Sequence, residues 1–334
     1  MKIPISYFGY LKAGADFLVK ESTRFTKSSY YSKIVTFFAL LGAYHFTKSV
    51  ISLGSFSLHL LFRRRMGLLE RYGPNSYVLI TGAAQGIGKA YATRFIQMGF
   101  NLVIIDKDIH TLKATEKELQ QLSPTAKVIS LVLDLSQIET NISTILSATE
   151  KLDISIVIND AGKVAFGPFE HINRAEMIQM TRVNVLAPLI LTREFIGRLR
   201  NRSKRSAIIT MSSFFGVYPS KHFAAYAATK AFLRFLSLSI EQENRDKIDC
   251  LVVTPGLVAT QMTHLSPSWK TITPEECVDG VLRDLGRRNE TMGNWKQVTA
   301  AGLLHQMPNV VTDTVIDLTY IDLQAAARSA NPKP

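Results

Sequence analysis

From residue 76 onward the chain alternates short, unbroken apolar runs with longer stretches of helical character. The runs are SYVLIT from 76, NLVII from 101, KVISLVL from 127, DISIVI from 153, SAIITM from 206 and IDCLVVT from 248. A strand with one wet face alternates apolar and polar residues, whereas an unbroken run marks a strand covered on both faces. With helical segments filling the gaps, the pattern predicts an α/β fold built on a doubly wound parallel sheet, as one domain over residues 75–323. Residues 324–334, which end in RSANPKP, are expected to form a loose tail.

Residues 1–70 have a different texture. IVTFFALLGAYHFT from 34, then Lys48, then SVISLGSFSLHLLF, closes on Arg63, Arg64 and Arg65. Each half is 14 residues without Lys, Arg, Asp or Glu. That is short of the roughly 20 a helix needs to cross a bilayer, while the two halves together are longer than needed. Membrane contact through residues 34–65 is therefore expected, as a tilted span with Lys48 snorkelling, a re-entrant hairpin, or a helix lying in the interface. The alternative is a helical arm packed on the protein's own surface or in a dimer. A cleavable signal peptide does not fit an apolar run that starts at residue 34 and ends in three arginines.

Hydrophobic residues make up 46% of the chain and charged residues 20%, a balance that buries a core and excludes disorder as the main state. The net charge of +12 is concentrated at the front, where residues 1–70 hold ten Lys or Arg against three Asp or Glu. That placement suits an anionic membrane surface, and no recognition module points to nucleic acid. With two cysteines, Cys250 and Cys277, neither a disulfide framework nor a cysteine zinc site is available, and a reducing compartment is expected. Seven histidines without paired spacing offer no metal site.

The first apolar run leads straight into TGAAQGIG, Thr81 to Gly88, and then into the helical KAYATRFIQMGF. Glycine is needed where a chain turns sharply and where its backbone approaches a pyrophosphate, whose charge the next helix N-terminus meets. Gly82, Gly86 and Gly88 occupy those positions, between a strand and a helix as the chemistry requires. The second run ends at Asp106, where a carboxylate accepts hydrogen bonds from an adenosine ribose and repels a 2′-phosphate. At about 5 Å and an effective dielectric near 20 that repulsion is on the order of 3 kcal/mol per unit charge, which favours NAD over NADP. Lys107 follows and could reverse the preference by swinging toward a phosphate; Gln85 adds no charge.

AYAATKAFL at 225–233 puts Tyr226 and Lys230 four residues apart, hence on one helix face with roughly 5–6 Å between their Cβ atoms. The spacing recurs at Tyr44 and Lys48, to which no chemistry is assigned, so the pair alone decides nothing.

Further pieces fall in order. Asp134 follows the third run, NDAG at 159–162 the fourth, Asn184 stands in a long helix, Ser213 follows the fifth run, and PGLVAT, Pro255 to Thr260, follows the sixth. In this order and spacing the chain resembles the short-chain dehydrogenases/reductases over about residues 75–290. GIGKAYA, TPEECVDGVLRDLG and the apolar, basic-flanked arm are similar to one branch, the very-long-chain 3-oxoacyl-CoA reductases and 17β-hydroxysteroid dehydrogenases. That branch usually uses NADPH and carries two asparagines after the fourth strand; here stand Asp106, and Asn159 followed by Asp160. Membrane-anchored retinol and steroid dehydrogenases, which share an Asp at the second strand end, are the rival assignment.

The resemblance implies a Rossmann domain that binds NAD or NADP through Thr81, Gly82, Gln85, Gly86, Ile87, Gly88, Asp106, Lys107, Asp134, Leu135, Asn159, Ala161, Gly162, Lys230, Pro255, Gly256, Val258 and Thr260. It implies that Tyr226 gives or takes the proton at the substrate oxygen, while Lys230 holds the nicotinamide ribose and favours the phenolate. Ser213 would hold the substrate oxygen, and Asn184 a relay water behind Lys230. Ser212 is the rival serine, and the 13-residue offset to Tyr226 favours Ser213. A free tyrosine titrates near 10, so work near neutrality needs a fall of about 3 pH units, roughly 4 kcal/mol, from the ammonium and the cofactor's positive ring.

The implied activity interconverts a ketone and a secondary alcohol on a lipid-like substrate, a 3-oxoacyl thioester or a steroid. Its expected place is the endoplasmic reticulum membrane, with the catalytic domain facing the cytosol. A homodimer through the helices carrying Asn184 and Tyr226 is also implied. An inactive nucleotide-binding scaffold is the alternative of another class, which Asp160 keeps open by adding charge at the cofactor edge. GRLRNRSKR at 197–205 reads as a solvated helix end and loop, with contact to a membrane surface as the alternative. Phe214, Phe215, Val217 and Tyr218 line either a substrate pocket or the core, and 257–273, with Met262, His264 and Trp269, is expected to cover the substrate.

Overall fold

The computed structural model describes residues 16, 29–61, 67–307 and 309–330. The chain divides into two units, Met1–Arg64 and Arg65–Pro334. The first holds helix α1 (Ser29–Leu61), whose side chains from residue 32 to 48 are exposed, Phe37, Phe38, Tyr44 and Phe46 among them. No helix among the described residues is long and apolar enough to cross a membrane. Arg63, Arg64 and Arg65, on which the membrane expectation partly rests, lie outside the described residues.

The second unit begins with α2 (Leu68–Tyr72), β1 (Tyr77–Thr81), α3 (Gly86–Gln97), β2 (Asn101–Asp106), α4 (Ile109–Leu122), β3 (Val128–Val132), α5 (Ile138–Thr149) and β4 (Ile154–Asn159). It continues with α6 (Arg174–Thr181), α7 (Ala187–Arg200), β5 (Ser206–Met211), α8 (Ala224–Asn244), β6 (Ile248–Val253), α9 (Pro274–Asp284), β7 (Glu290–Thr291), α10 (Trp295–Gln306) and α11 (Asn309–Ala330). The strands pair in parallel in the order β3-β2-β1-β4-β5-β6-β7. The order reverses between β1 and β4, and a crevice opens at such a point beyond the carboxyl ends of the strands.

Every residue of β1, β4 and β5 is buried, as unbroken apolar runs require. Alternation along the strands feeds two cores. Val78, Ile80, Ile104 and Ile209 pack with Tyr91 and Phe95 of α3 and Val281 of α9 on one face. Leu79, Val103, Ile105 and Ile208 pack with Leu191 and Phe195 of α7 on the other. Each such side chain contributes on the order of 2 kcal/mol by leaving water, and together they fix the strand ends that carry the site.

One expectation changes and another is extended. α11 continues to Ala330 and buries Ile316 and Leu323, so residues 324–330 are helix rather than loose tail. The basic stretch 197–205 is a largely exposed helix end and loop, with Arg200, Asn201, Ser203 and Lys204 exposed, but its cations are also tied to the rest of the unit. Arg198 donates to the carbonyls of Thr149 and Leu152 at 2.6 and 3.0 Å, and Arg202 to the carbonyl of Tyr72 at 2.6 Å and to Asp153. Lys204 reaches the carbonyl of Glu70. Arg205 meets Asp249, which also accepts from Arg71 and Tyr72 of α2. These cations clip α2 to the starts of β5 and β6.

Burial pushes the Asp249 carboxyl up, but hydrogen bonds from Arg71, Arg205 and Tyr72 outweigh it and hold the group below the usual carboxylate value. Its native value is depressed, so its stabilisation is fully present above the unfolded value of about 3.9 and fades as pH falls through the native one. Asp249→Ala is expected to lower unfolding stability by about 2–4 kcal/mol at pH 7, read as a lower urea midpoint. The gap from wild type should close below about pH 4; an equal gap at pH 3 and pH 7 would refute the account.

Candidate active site

The turn from β1 into α3 lies at the switch point. Gly82 and Gly86 take φ of +70° and +60°, a region that side chains disfavour. A Cβ on Gly82 would stand 2.9 Å from the Cα of Ala161, and one on Gly88 2.2 Å from the carbonyl oxygen of Gly82. The Thr81 hydroxyl stitches the strand ends, donating to the carbonyl of Ile158 and accepting from the amides of Asp160 and Ala161 at 3.1 Å. Asp106, at the end of β2, accepts from the amides of Ala84, Lys107 and Asp108 at 3.1, 2.7 and 3.2 Å. Its carboxylate is thereby fixed at the rim of the glycine turn.

The catalytic candidates come from three elements. Asn184 is buried in a π-helical segment, Arg182–Leu186, between α6 and α7. Its amide donates to the carbonyl of Lys163 and to Thr229 at 2.8 and 3.0 Å, and its oxygen accepts from the amide of Lys163. Ser213 opens the turn after β5, accepting from the amide of Phe215. Tyr226 and Lys230 are buried on α8, with Lys230 Nζ 5.8 Å from the Tyr226 ring centre and 2.8 Å from the carbonyl of Met211. Ser212 donates to the carbonyl of Lys230 at 2.7 Å. Its hydroxyl is therefore spent inside the protein, and Ser213 is the serine that meets Tyr226.

Burial pushes the Tyr226 phenol up to about 12; its hydrogen bond with Ser213 works against that, and Asp160 adds to it. Burial pulls the Lys230 ammonium down to about 8, against the attraction of Asp160. Asp160 is pushed up to about 7, by burial first, while Lys230 and the amide of Gly88 hold it down. The protein's own groups thus do not bring the phenol toward neutrality, contrary to the share of that shift expected from Lys230.

Two cavities meet here. A cleft of about 290 Å³ is lined by Gly82, Gln85, Gly86, Ile87, Asp106 and Lys107 at one end, Asp134, Leu135, Ala161 and Gly162 in the middle, and Lys230, Pro255, Gly256, Val258 and Thr260 at the other. A second, of about 600 Å³, is lined mostly by apolar side chains, among them Phe166, Phe214, Phe215, Leu257, Ile316 and Leu323. They share Ser213, Tyr226, Pro255, Gly256, Met262 and Thr263.

Four expected residues do not reach the cleft. Thr81 and Gly88 support it from behind, and Asn184 is turned into the protein. Asn159 is a correction: its amide donates to Thr192 at 3.1 Å. It faces a small cavity on the far side of the sheet with Thr192 and Cys250, because its neighbour Asp160 takes the cleft side. Lys163, Gln179 and Val183 line the cleft without having been anticipated; no motif marks them. Of the loop 257–273, Met262 and Trp269 line the apolar cavity, while His264 lies on a separate groove. Phe214 and Phe215 line the same cavity, whereas Val217 is exposed. No group of His, Cys, Asp and Glu among the described residues could hold a metal.

A profile of the family described as short chain dehydrogenase matches residues 76–271. The very-long-chain 3-oxoacyl-CoA reductase of Kluyveromyces lactis is 30% identical over 225 residues, which span 65% of this chain and 65% of that protein. The protein of the same name from Schizosaccharomyces pombe is 31% identical over 268 residues, 76% of this chain and 77% of the other. Among solved structures, a short-chain dehydrogenase from Sphingobium yanoikuyae in complex with NADPH superposes with a TM-score of 0.59. It is 27% identical and covers 70% of this chain and 96% of its own.

Asp160 makes the cleft sensitive to pH. Its native value is raised above the ordinary 3.8 to about 7, so the folded protein holds that proton more tightly than the unfolded chain. The associated stability is fully present below about pH 4 and is lost as pH rises through about 7. Asp160→Asn should flatten the decline of thermal stability between pH 4 and 7 and leave the variant more stable than wild type at pH 8. Parallel melting profiles across that range would refute it.

Proposed function

The chain belongs to the short-chain dehydrogenase/reductase family of oxidoreductases, and on that premise we propose that it interconverts a ketone and a secondary alcohol on a lipid-like substrate with NAD or NADP. The leading substrate is a 3-oxoacyl thioester. The observation that carries this reading is the meeting of the cleft and the apolar cavity at Ser213 and Tyr226. A carbonyl at that junction has hydroxyls on one side and room for a long apolar chain on the other. Name and identity of the relatives support the thioester, while steroid and retinol fit the same cavity chemistry.

In the direction of reduction, Ser213 and Tyr226 hold the carbonyl oxygen, and the Tyr226 hydroxyl donates its proton to it as the carbonyl carbon is reduced. The nicotinamide, when bound, supplies or accepts the hydride. Lys230 Nζ stands 5.8 Å from the centre of the Tyr226 ring and is placed to hold a nicotinamide ribose. Burial drives Tyr226 up to about 12, which suits a proton donor; in the direction of oxidation the positive charge of a bound oxidised ring would favour its deprotonation. Both ends of the Asn184 amide are in use, so a relay water would be held by the main chain of the π segment, where the ladder is out of α register.

Asp106 stands where a ribose diol would accept its company and a 2′-phosphate would not, which favours NAD; Lys107 at the same rim is the group that would reverse this. We assign residues 1–70 to membrane contact through 34–65, on the strength of apolarity and basic charge. The expected setting is the endoplasmic reticulum surface, with the catalytic unit toward the cytosol. Pairing through α7 and α8 is supported by Leu189, Phe232 and Phe235, which those helices expose.

Turnover of a 3-oxoacyl-CoA by the full chain, followed at the nicotinamide absorbance, tests the activity. Tyr226→Phe should lower turnover by about 10²- to 10⁴-fold while leaving cofactor affinity nearly unchanged; turnover that survives the substitution would sink the mechanism. Asp106→Ala should shift the NADH/NADPH preference toward NADPH by roughly 100-fold, the on-the-order-of-3-kcal/mol repulsion removed. Unchanged affinities for both cofactors would remove Asp106 from their recognition.

A further inference from the structure

Trp269 and Trp295 are the only tryptophans in the chain, and both stand on the lining of the apolar cavity. They are 74% and 55% exposed, although an indole gains much by leaving water. Each is followed directly by a lysine, Lys270 and Lys296. These are the cavity's charged lining residues among the described ones, where no Asp or Glu lines it. Met262 and Leu303 are exposed beside them, and α10 presents Trp295, Thr299 and Leu303 as an uncharged exposed stripe. The nearby carboxylate is Glu276, 3.6 Å from Lys296.

An indole with an apolar body and a polar N–H settles at the boundary between lipid headgroups and acyl chains, and a lysine beside it reaches the phosphates. A second copy of the chain fits less well. A two-fold contact would set this cationic lip against itself. An anionic bilayer satisfies the aromatic and the basic groups at once.

We propose that this lip of the catalytic unit rests on an anionic phospholipid bilayer, with Trp269 and Trp295 at headgroup level and the apolar cavity opening toward the acyl chains. A lipid-like substrate then enters from the membrane rather than from water. That consequence rests on the proposed activity, but the contact itself is tested without it.

Because no other tryptophan is present, indole emission of the full chain, excited to the red of the tyrosine band, reports on this lip alone. The full chain is reconstituted into phosphatidylcholine vesicles containing phosphatidylserine, with or without bromine on the acyl chains near the headgroups. Emission should move to shorter wavelength than in detergent, acrylamide quenching should fall, and brominated lipid should quench the signal. Trp269→Phe and Trp295→Phe should each leave quenchable emission from the other indole. Lys270→Glu should weaken docking about 30-fold, the ~2 kcal/mol of reversing one charge at an anionic surface. Cofactor binding, followed by nicotinamide fluorescence, verifies that each variant is folded. Emission of the vesicle-bound chain that stays solvent-like and open to acrylamide would overturn the proposal. So would a shift that depends on protein concentration without vesicles, which would assign the lip to a second copy. Failure to reduce a 3-oxoacyl thioester would sink the substrate reading and leave this result untouched.

Discussion

The contact between the β1–α3 turn and the end of β4 admits no side chain at Gly82 or Gly88, and the placement of every other group in the cleft follows from it. With hydrogen at both positions, α3 can start almost on top of β1, so that its free amides face the crevice. The Thr81 hydroxyl then ties the first half of the sheet to the main chain of Asp160 and Ala161. That tie sets Gly162 against Lys230 and Asn184: a Cβ there would lie 3.4 Å from the Lys230 nitrogen. The glycine turn and α8 are thus registered to each other through backbone, which leaves the side chains of the cleft free for the proposed chemistry.

Asp160, with Asp106, is one of two places where this chain departs from the pattern of the branch it resembles, and its surroundings explain how a carboxylate is tolerated there. The amide of Gly88 and the ammonium of Lys230 both hold it down, while burial and Asp106 push it up. The carboxylate in turn favours the charged form of Lys230 and disfavours the phenolate of Tyr226. It therefore strengthens one partner of the catalytic pair and weakens the other. An uncharged amide would do neither, so the substitution couples the protonation of the cleft to that of the site without removing any catalytic side chain.

Six strands were legible as unbroken apolar runs, and five of them are mostly buried; β3, at the edge of the sheet, carries such a run although it is only half-buried. β7 was not, since Glu290 and Thr291 pair at the edge of the sheet with no apolar run of their own. The helical end of the chain is not legible because α11 buries Ile316 and Leu323, two turns apart, too sparse a stripe to outweigh the polar ending. The basic stretch 197–205 hid its role for a different reason: its partners are main-chain carbonyls and acids such as Asp249, distant in sequence. Order and spacing singled out Ser213 over Ser212, yet why it is so appears only in the packing, where the Ser212 hydroxyl is bound to Lys230. The facing of Asn159 was a matter of strand alternation. Position in a motif says that a residue is near the cleft, not which side of the sheet its side chain takes.

The two cavities are built from different parts of the chain, and this separates chemistry from selection. Strand ends and the turns after them line the cleft, and the cores on both faces of the sheet fix them. The apolar cavity instead takes much of its wall from the loop after β6 and from α10 and α11. Those helices bury few side chains, so residues such as Leu303 or Val315 can change without disturbing the strands that hold Tyr226. In the proposed reaction a carbonyl carbon reaches the junction whatever the substrate. On that proposal, the apolar body attached to that carbon is selected by segments that the strands holding Tyr226 do not need.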